Sequence, residues 1–328
     1  MRICLVGEYS LYPDEGKQSV VFNLVRELSK RHRVITLNPK SAFSVDFWRQ
    51  IKPFKPQIIH YLPGPTIKSF LLAKAIHIFY TDARVVMSAL HPLFPSFLGR
   101  LLPLLKPDLI LTQSDETERL FLRLGFKTAF LPNGVDVGRF VPVSEEVKLK
   151  LRGKYGIDEN KFVVLHIGHI TRVRNLEIFR EIQKRDNNQV IIIGSPSVRM
   201  EKKVFIGLER EGCLVLRTRV KSIEELYGLS DCYVFPTLKK EGCIELPISI
   251  MEAMACNLPV VSTPFGALPG VFSEGDGLIF ADNDADIIDR LEMIKDGGME
   301  VKTRDKVMPY TWDRVAKSLE GIYSNLAS

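Results

Sequence analysis

The sequence is poor in cysteine and lacks a long apolar run. Five cysteines (Cys4, Cys213, Cys232, Cys243 and Cys256) occur among 328 residues, an odd number without a CxxC pair or metal-ligand spacing. We therefore expect neither a disulfide framework nor a zinc site, and a reducing, cytoplasmic location is favoured. Because no segment of about 18 uncharged apolar residues is present, no membrane span is predicted. The apolar run after Arg2 is too short for a secretory signal.

The motifs of two common nucleotide-binding folds are also missing. The first predicted strand is followed by Gly7-Glu8-Tyr9-Ser10, which is not G-x-G-x-x-G, and there is no P-loop lysine. Both an NAD-dependent enzyme and a P-loop NTPase are therefore disfavoured.

Positive charge is concentrated in the first part of the chain. Residues 1–140 contain 19 Lys and Arg against 11 Asp and Glu, a difference of +8, whereas residues 141–328 contain 26 against 28, a difference of −2. A basic half indicates an anionic partner, for which nucleic acid, a membrane surface and a phosphorylated substrate are the candidates. Nucleic acid is disfavoured because the charges are dispersed, with no helix-turn-helix, zinc finger or aromatic interleaving.

The hydrophobic pattern predicts an α/β protein with two doubly wound parallel-sheet domains. Short apolar runs such as Ile3–Gly7 and Phe162–Ile167 alternate with segments of helical spacing such as Gln18–Lys30. Ligands of such folds bind at the carboxyl ends of the strands, so we expect both domains to face a cleft. The predicted divisions are an N-terminal Rossmann-like domain at 1–140, a C-terminal Rossmann-like domain at 141–308 and a last helix within 309–328.

Two loops carry residues suited to a phosphorylated ligand. Pro13–Lys17 contains a glycine just before a predicted helix, where free backbone N–H groups bind phosphate, although the loop taken alone favours a plain surface turn. In the loop after Phe162–Ile167, Arg172 and Arg174 could both point at one diphosphate, or could be solvated loop arginines.

A third loop, Lys239–Pro247, runs into the predicted helix Ile248–Cys256, whose first turn suits Pro247. Glu252 lies in an otherwise apolar part of that helix. A carboxylate there is costly unless it is hydrogen-bonded, and the paired hydroxyls of a sugar or a structural salt bridge would serve.

The residues around this helix resemble glycosyltransferase family 4, whose members are retaining enzymes of the GT-B fold. The similarity includes Pro236-Thr237, Glu241-Gly242 and the run Leu246–Val261. Further similar segments follow the family's order: Lys55–His60, Lys106–Ser114, Leu131–Asp136, Arg139–Pro142 and Tyr310–Trp312. The resemblance covers nearly the whole chain and implies two Rossmann-like domains, with the last helix crossing back to the first.

The resemblance implies roles for the matching residues of the second half. Glu252 matches the glutamate that holds the donor's ribose hydroxyls, and Arg174 matches the lysine that contacts the donor diphosphate. His169 stands where the family has arginine, with Arg172 nearby as its substitute.

In the first half, Gly16 matches a glycine loop that normally has two glycines, and Lys17 occupies the second place. His91 matches a histidine near the transferred sugar.

Besides the change of the family's arginine–lysine pair to His169 and Arg174, two further features depart from the family pattern. The family's pair of glutamates would require Glu at Ile244, whereas Glu245 stands one residue late. Gly270 occupies the usual glutamate position of a second loop. The predicted catalytic residues are Arg174, Arg172, His91 and Glu245. The predicted donor-binding residues are Gly16, Lys17, Gly168, His169, Arg172, Arg174, Gly242, Cys243, Glu245, Leu246, Pro247 and Glu252.

The resemblance predicts a hexosyltransferase of class EC 2.4 that uses a nucleoside-diphosphate sugar and acts on a glycan or lipid-linked acceptor. The alternatives are a non-catalytic nucleotide-sugar-binding subunit and a nucleotide-sugar epimerase of the same fold. No cofactor or metal is predicted, because the acidic run Asp282–Asp286 reads as the start of a helix. The apolar segment Pro92–Lys106 is expected either to touch a lipid-linked acceptor or the cytoplasmic face of an anionic membrane, or to be a buried crossover helix.

Overall fold

The structure, a computed structural model, describes residues 1–80, 82–92, 105–217 and 220–328. The described chain divides into two compact units. The first unit comprises Met1–Gly134, Ile244–Leu246 and Trp312–Ser328, and the second comprises Val135–Cys243 and Pro247–Thr311. Most of the apolar segment Pro92–Lys106, for which a membrane contact was considered, lies outside the described residues.

The first unit contains a parallel sheet in the order β2-β1-β3-β4-β5-β6. Its strands are β1 (Arg2–Val6), β2 (Arg33–Leu37), β3 (Ile58–Tyr61), β4 (Arg84–Ser88), β5 (Leu109–Thr112) and β6 (Thr128–Phe130). Its first helices are α1 (Gly16–Leu28), α2 (Val45–Phe54), α3 (Ile67–Phe79) and α4 (Asp115–Arg123). The short edge strand β6, which the hydrophobic pattern did not predict, has only three residues and is partly exposed.

The second unit repeats this arrangement with the parallel order β12-β11-β10-β7-β8-β9. Its strands are β7 (Phe162–Ile167), β8 (Asn188–Ile193), β9 (Leu214–Leu216), β10 (Cys232–Phe235), β11 (Val260–Ser262) and β12 (Leu278–Phe280). Its helices are α5 (Glu145–Tyr155), α6 (Ile178–Lys184), α7 (Lys202–Arg210), α8 (Ile223–Gly228), α9 (Ile248–Ala255), α10 (Leu268–Val271), α11 (Asp284–Lys295) and α12 (Thr303–Val307).

Both sheets have buried central strands, because helices cover their two faces. The strands are accordingly apolar along their length, as in β3 and β10, rather than alternating. In each sheet the strand order reverses next to the first strand of the unit, between β1 and β3 and between β7 and β10. The loops at these two reversals are where α/β sheets bind ligands.

Several helices begin at side chains that accept a backbone hydrogen bond. Ser44, Ser114, Ser144 and Asn283 each accept from the N–H group three residues further on, and Thr66 and Ser69 form a reciprocal capping box. Asn283 caps α11, as expected for the acidic run there. The sequence therefore sets these helix starts locally.

The last helix, α13 (Trp312–Ala327), belongs to the first unit. Its Tyr323 hydroxyl lies 2.6 Å from Nδ1 of His60, whose Nε2 lies 2.7 Å from Oγ of Ser88. Burial lowers the pKa of His60 to about 3, so the ring is neutral. At the helix surface, Nε of Arg31 donates to Glu320 at 2.8 Å.

Candidate functional site

A buried arginine lies at the carboxyl end of β7. The chain leaves the strand through Gly168 and His169 and forms a 3-10 turn over Arg172–Arg174. Arg174 is 5 % exposed, and its guanidinium carbon lies 5.7 Å from the centre of the Phe235 ring. Among the described residues, no side-chain hydrogen bond or ion pair to Arg174 is present, and its Nε is buried without a partner.

Two glycines allow the backbone to pass close to this arginine. A Cβ atom on Gly168 would lie 2.9 Å from both Nη1 of Arg174 and Nε2 of His166. A Cβ atom on Gly242 would lie 2.7 Å from the Thr237 methyl group and 3.1 Å from the Val173 carbonyl oxygen. Glycine at 168 therefore leaves room for the Arg174 guanidinium, and glycine at 242 leaves room for Thr237 and for the backbone that precedes Arg174.

His166 and Thr237, which the sequence analysis did not predict as site residues, complete this cluster. Burial, followed by the charge of Arg174, lowers the pKa of His166 to about 3. The Nδ1 atom lies 2.9 Å from the Val234 carbonyl oxygen, so the neutral ring donates there and leaves Nε2 as an acceptor. His166 Nε2 and Thr237 Oγ1 are buried and find no hydrogen-bond partner among the described residues. His166 lies within the apolar strand β7, which concealed it in the sequence, and Thr237, two residues after β10, was noted there only as part of the Pro236-Thr237 motif.

Arg172 is not part of this cluster. Its backbone N–H and its Nε meet the Glu201 carboxylate at 3.0 and 3.6 Å, and its side chain is 65 % exposed. It lines a pocket of about 540 Å³ with Arg199, Lys202, Lys203 and Arg217. Arg172 is therefore paired with a carboxylate at the surface, whereas Arg174 is buried without one, and the expectation that both point at one diphosphate stays a prediction. His169, which precedes both arginines in the loop after β7, is half-buried. Its carbonyl accepts a hydrogen bond from the N–H of Thr171 at 3.0 Å.

Glu252 lies on α9 and is partly buried. The hydroxyl of Tyr227 is 2.8 Å from its Oε2, so the partner in the described structure is a phenol and not the salt-bridge cation considered above. Burial raises the pKa of Glu252 to about 7, against the opposing effects of the Tyr227 hydrogen bond and Arg139. A carboxylate held in this way retains capacity for further donors, such as sugar hydroxyls.

The loop before α9 is divided between the two units. Gly242, half-buried Cys243 and Pro247 belong to the second unit, and Pro247 is the N-cap of α9 rather than part of its first turn. Cys243, like the other cysteines, is a free thiol. Buried Leu246 belongs to the first unit, where its carbonyl accepts from Nδ2 of Asn133 at 2.7 Å.

Glu245 also belongs to the first unit, where it lies at the start of α4. Its Oε1 accepts hydrogen bonds from the hydroxyls of Ser114, at 3.1 Å, and Thr117. Its backbone N–H donates to the Leu90 carbonyl at 2.9 Å. The displaced glutamate thus stabilises a helix N-terminus, and its contact with a sugar stays a prediction.

In the same unit, Lys17 and His91 lie together. Nζ of Lys17 is 3.4 Å from Nδ1 of His91. The Ile244 side chain packs at Gly16, where a Cβ atom would lie 3.1 Å from Cδ1. Position 244, at which the family pattern has a glutamate, is thus occupied by an isoleucine that lies beside the glycine loop.

Next to Lys17, a pocket of about 660 Å³ opens at the carboxyl ends of β1, β2 and β3. Its lining includes Glu8, Glu15, Gln18, Lys40, Tyr61 and Lys68. Nζ of Lys40 lies 2.8 Å from the Glu8 carboxylate. Burial and the nearby carboxylates raise the pKa of Glu15. The pocket offers donors and acceptors of both charges, which suits a polyhydroxylated ligand.

Within the described residues, no group of three or more His, Cys, Asp and Glu side chains is arranged to hold a metal ion. The acidic run at the start of α11 is instead occupied by its own contacts. Oδ2 of Asp286 accepts from the Asp282 N–H at 3.1 Å, and Oδ1 accepts from Arg290 at 2.9 Å. The prediction that no cofactor is required is not tested by this geometry.

The described part of the chain contains no helix both long and apolar enough to cross a bilayer.

Two parallel sheets with these strand orders define the GT-B fold, and comparison with known proteins places the chain in a family. The pattern of the family described as "Glycosyl transferases group 1" matches residues 147–310, half of the chain. The chain therefore belongs to the group 1 glycosyltransferases. The predictions of the family and of the GT-B fold are confirmed.

Two relatives and one solved structure illustrate the similarity. The D-inositol 3-phosphate glycosyltransferase of Geodermatophilus obscurus is 26 % identical over 67 % of this chain and 52 % of its own. A galactosyltransferase of Escherichia coli, named for UDP-Gal and α-D-GlcNAc-diphosphoundecaprenol, is 30 % identical over 49 % of this chain and 43 % of its own. Anabaena HepE in complex with UDP is similar in fold, with a TM-score of 0.76, 16 % identity and coverage of 99 % and 100 %. The chain spans about half the length of the curated relatives it matches.

Proposed function

We propose that this protein is a retaining glycosyltransferase that moves a sugar from a nucleoside-diphosphate-sugar donor to a hydroxyl group of a glycan or lipid-linked acceptor. Membership of the family supports transfer of a sugar. The E. coli relative named for UDP-Gal and the UDP complex of HepE support a nucleoside diphosphate as the donor's carrier.

The observation that carries the proposal is the buried charge of Arg174. A guanidinium is always ionised, and burying it without an anion costs on the order of several kcal/mol. In the described structure no carboxylate pairs with it, whereas the more exposed arginines Arg172 and Arg180 have carboxylate partners. A donor diphosphate would supply the missing negative charge with geometry that a guanidinium matches.

Glu252 supports the ribose contact. Its carboxylate lies on the helix that follows the Gly242 loop, and Tyr227 provides the only side-chain hydrogen bond to it among the described residues. Two vicinal ribose hydroxyls could donate to the remaining lone pairs, which would offset the cost of burying the carboxylate.

The proposed reaction needs stabilisation of charge more than a protein nucleophile. When the bond between the sugar's anomeric carbon and the diphosphate oxygen breaks, negative charge grows on the β-phosphate, and Arg174 would lower the barrier by stabilising it. The acceptor oxygen then bonds to that carbon on the face from which the diphosphate leaves, and its proton passes to the departing phosphate oxygen. This retaining course follows from the family resemblance.

The acceptor is proposed to carry an anionic group. The names of the two relatives specify D-inositol 3-phosphate and GlcNAc-diphosphoundecaprenol, both of which are phosphorylated. The excess of Lys and Arg over residues 1–140 is suited to such an acceptor. We place the reaction in the cytoplasm, at the inner face of the membrane when the acceptor is lipid-linked.

The first experiment is thermal stabilisation of the protein by a panel of UDP-, GDP- and ADP-sugars and their free diphosphates. One nucleoside is expected to raise the melting temperature, and Arg174→Ala is expected to weaken its binding about 10- to 100-fold, the equivalent of one charge-assisted interaction. Arg180→Ala is the matched control, because Arg180 pairs at the surface with Glu177 and Glu211. No stabilisation by any donor, or full binding by Arg174→Ala, would contradict the proposal.

Turnover distinguishes the transferase from its alternatives. A non-catalytic subunit would bind the donor without consuming it, and an epimerase would return an isomerised donor. A transferase releases the free nucleoside diphosphate, slowly with water and faster with an acceptor. NMR of the product's anomeric configuration then tests whether the configuration is retained.

A further inference from the structure

The outer face of α3 exposes large apolar side chains. Ile67 and Leu71 are each 46 % exposed, Ile78 is 59 % exposed and Phe79 is 72 % exposed. The inner face packs on the sheet through buried Phe70, Ala73 and Ile76. A helix that is apolar on both sides is normally covered on both sides, so this helix has a face suited to an apolar partner.

Lysines interrupt this apolar face. Lys74 lies on the same helical line as Ile67, Leu71 and Ile78, since the spacings are four, seven and eleven residues, and Lys68 lies beside that line. Both lysines are exposed. The helix has no Asp or Glu, and His77, which lies 2.9 Å from Asp108, points away from this line. The face is therefore both apolar and cationic.

The same surface continues onto α2. The ring of Phe79 contacts that of Trp48 edge-on, with 6.1 Å between centroids. Lys52 follows Trp48 by one helical turn and is exposed. Asp46, the only acid on α2, lies on another side and is 3.6 Å from Arg49. Tryptophan, phenylalanine and lysine are the side chains found at the boundary between water and lipid.

The N-terminal end of α3 is also a wall of the 660 Å³ pocket described above. Ile67 and Lys68 line that pocket and belong to the exposed face as well. A molecule whose polar head enters the pocket would thus have its attachment point next to an apolar, cationic surface.

We propose that this α3 face (Ile67, Lys68, Leu71, Lys74, Ile78 and Phe79) lies on the surface of an anionic membrane and presents the pocket to the head group of a lipid-linked acceptor. The acceptor part of this inference rests on the proposed function. With 13 residues, α3 is shorter than the roughly 20 residues that span a bilayer, so it lies in the plane of the interface. Apolar burial and attraction of the lysines to anionic lipid act together.

The test is co-sedimentation of the full chain with phosphatidylcholine vesicles and with vesicles containing about 30 % phosphatidylglycerol, at low and high salt. Binding to the anionic vesicles at low salt is expected. Leu71→Glu with Ile78→Glu should weaken it at least about 10-fold, because both apolar contacts are replaced by negative charge. Lys68→Ala with Lys74→Ala should weaken it about 5-fold per lysine and reduce its dependence on salt.

Leu122→Glu on α4 is the matched control, because Leu122 is 52 % exposed and lies outside the α3 face. It should bind vesicles as the unmodified protein does. Failure of the unmodified protein to sediment with anionic vesicles, or unchanged sedimentation of the double glutamate variant, would overturn the proposal. So would a loss of dimers in the double glutamate variant by analytical ultracentrifugation, because the face would then cover a second copy of the chain.

Nucleotide-sugar binding, measured on the same variants without vesicles, separates the two proposals. The glutamate variants should keep the melting temperature rise caused by the donor. If vesicle binding fails while donor binding persists, only the membrane surface is refuted. If vesicles bind and no donor does, the proposed function fails.

Discussion

The two units hold charge in opposite ways. In the second unit, Arg174 is buried beside a neutral histidine and has no carboxylate partner among the described residues. In the first unit, Lys68 and Lys74 are exposed on a helix that also exposes apolar side chains. A buried, uncompensated charge indicates a small anionic ligand, whereas an exposed mixture of lysine and apolar surface indicates a large, flat partner.

The largest expected effect is the change in the free energy of unfolding caused by Glu252→Gln, a substitution in the second unit. The pKa of Glu252 is raised from 4.5 to about 7 in the folded protein, so the carboxylate costs stability above pH 7. As the pH falls from 7 towards 4.5, the folded state takes up the proton first, and the contribution of this group to stability increases. Urea unfolding at pH 8 should show the glutamine variant more stable by up to about 3 kcal/mol, since each pKa unit corresponds to about 1.4 kcal/mol.

Below pH 5 the two proteins should converge in stability. Glu181→Gln, in an exposed ion pair with Lys184, is the control and should change the free energy of unfolding little at either pH. If Glu252→Gln destabilised the protein at pH 8, the carboxylate would be paired and its assignment as a free ribose contact would be wrong.

A pair of glycine substitutions compares the two units directly. In Gly168→Ala the new methyl group would meet Arg174 and His166 at 2.9 Å and displace the guanidinium. We expect the dissociation constant of the donor nucleotide to rise about 10-fold, as for the loss of one hydrogen bond to a charged group. In Gly16→Ala the methyl group meets only the end of the Ile244 side chain, at 3.1 Å, which can move.

Isothermal titration of the two alanine variants gives the answer. Gly16→Ala should bind the nucleotide within about 2-fold of the unmodified protein, because a flexible side-chain end relaxes at little cost. Equal losses in both variants would show that the nucleotide phosphate depends on the glycine loop of the first unit as much as on Arg174.

The smallest effect is expected for Glu245→Gln. The carboxylate accepts from the hydroxyls of Ser114 and Thr117 at the positive end of the α4 dipole. Its replacement should cost about 1 kcal/mol in the free energy of unfolding, and Thr117→Val should cost a similar amount. The contrary outcome is a variant that keeps its stability and turns over substrate about two orders of magnitude more slowly. That loss would match removal of a group that stabilises the transition state, and it would show that Glu245 contacts the sugar.

Much of the fold could be predicted from the sequence, because its signals are local. The apolar run Phe162–Ile167 forms β7 with the predicted bounds, and Trp312 begins the last helix as expected. The short edge strand β6 was not predicted, because three partly exposed residues are too few to show a hydrophobic pattern. The family motif around α9 was equally local and identified the class of protein.

The sequence by itself determined the apolar runs that become strands, the helix caps and the identity of the residues offered for binding. Only the tertiary structure decided which contacts each residue makes. It paired Arg172 with Glu201, left Arg174 buried near His166 and Thr237, and held Glu245 at α4. The reason is that burial and pairing are properties of contacts between distant parts of the chain. Spacing along a loop fixes which charges are available, and packing fixes which of them are left for a ligand.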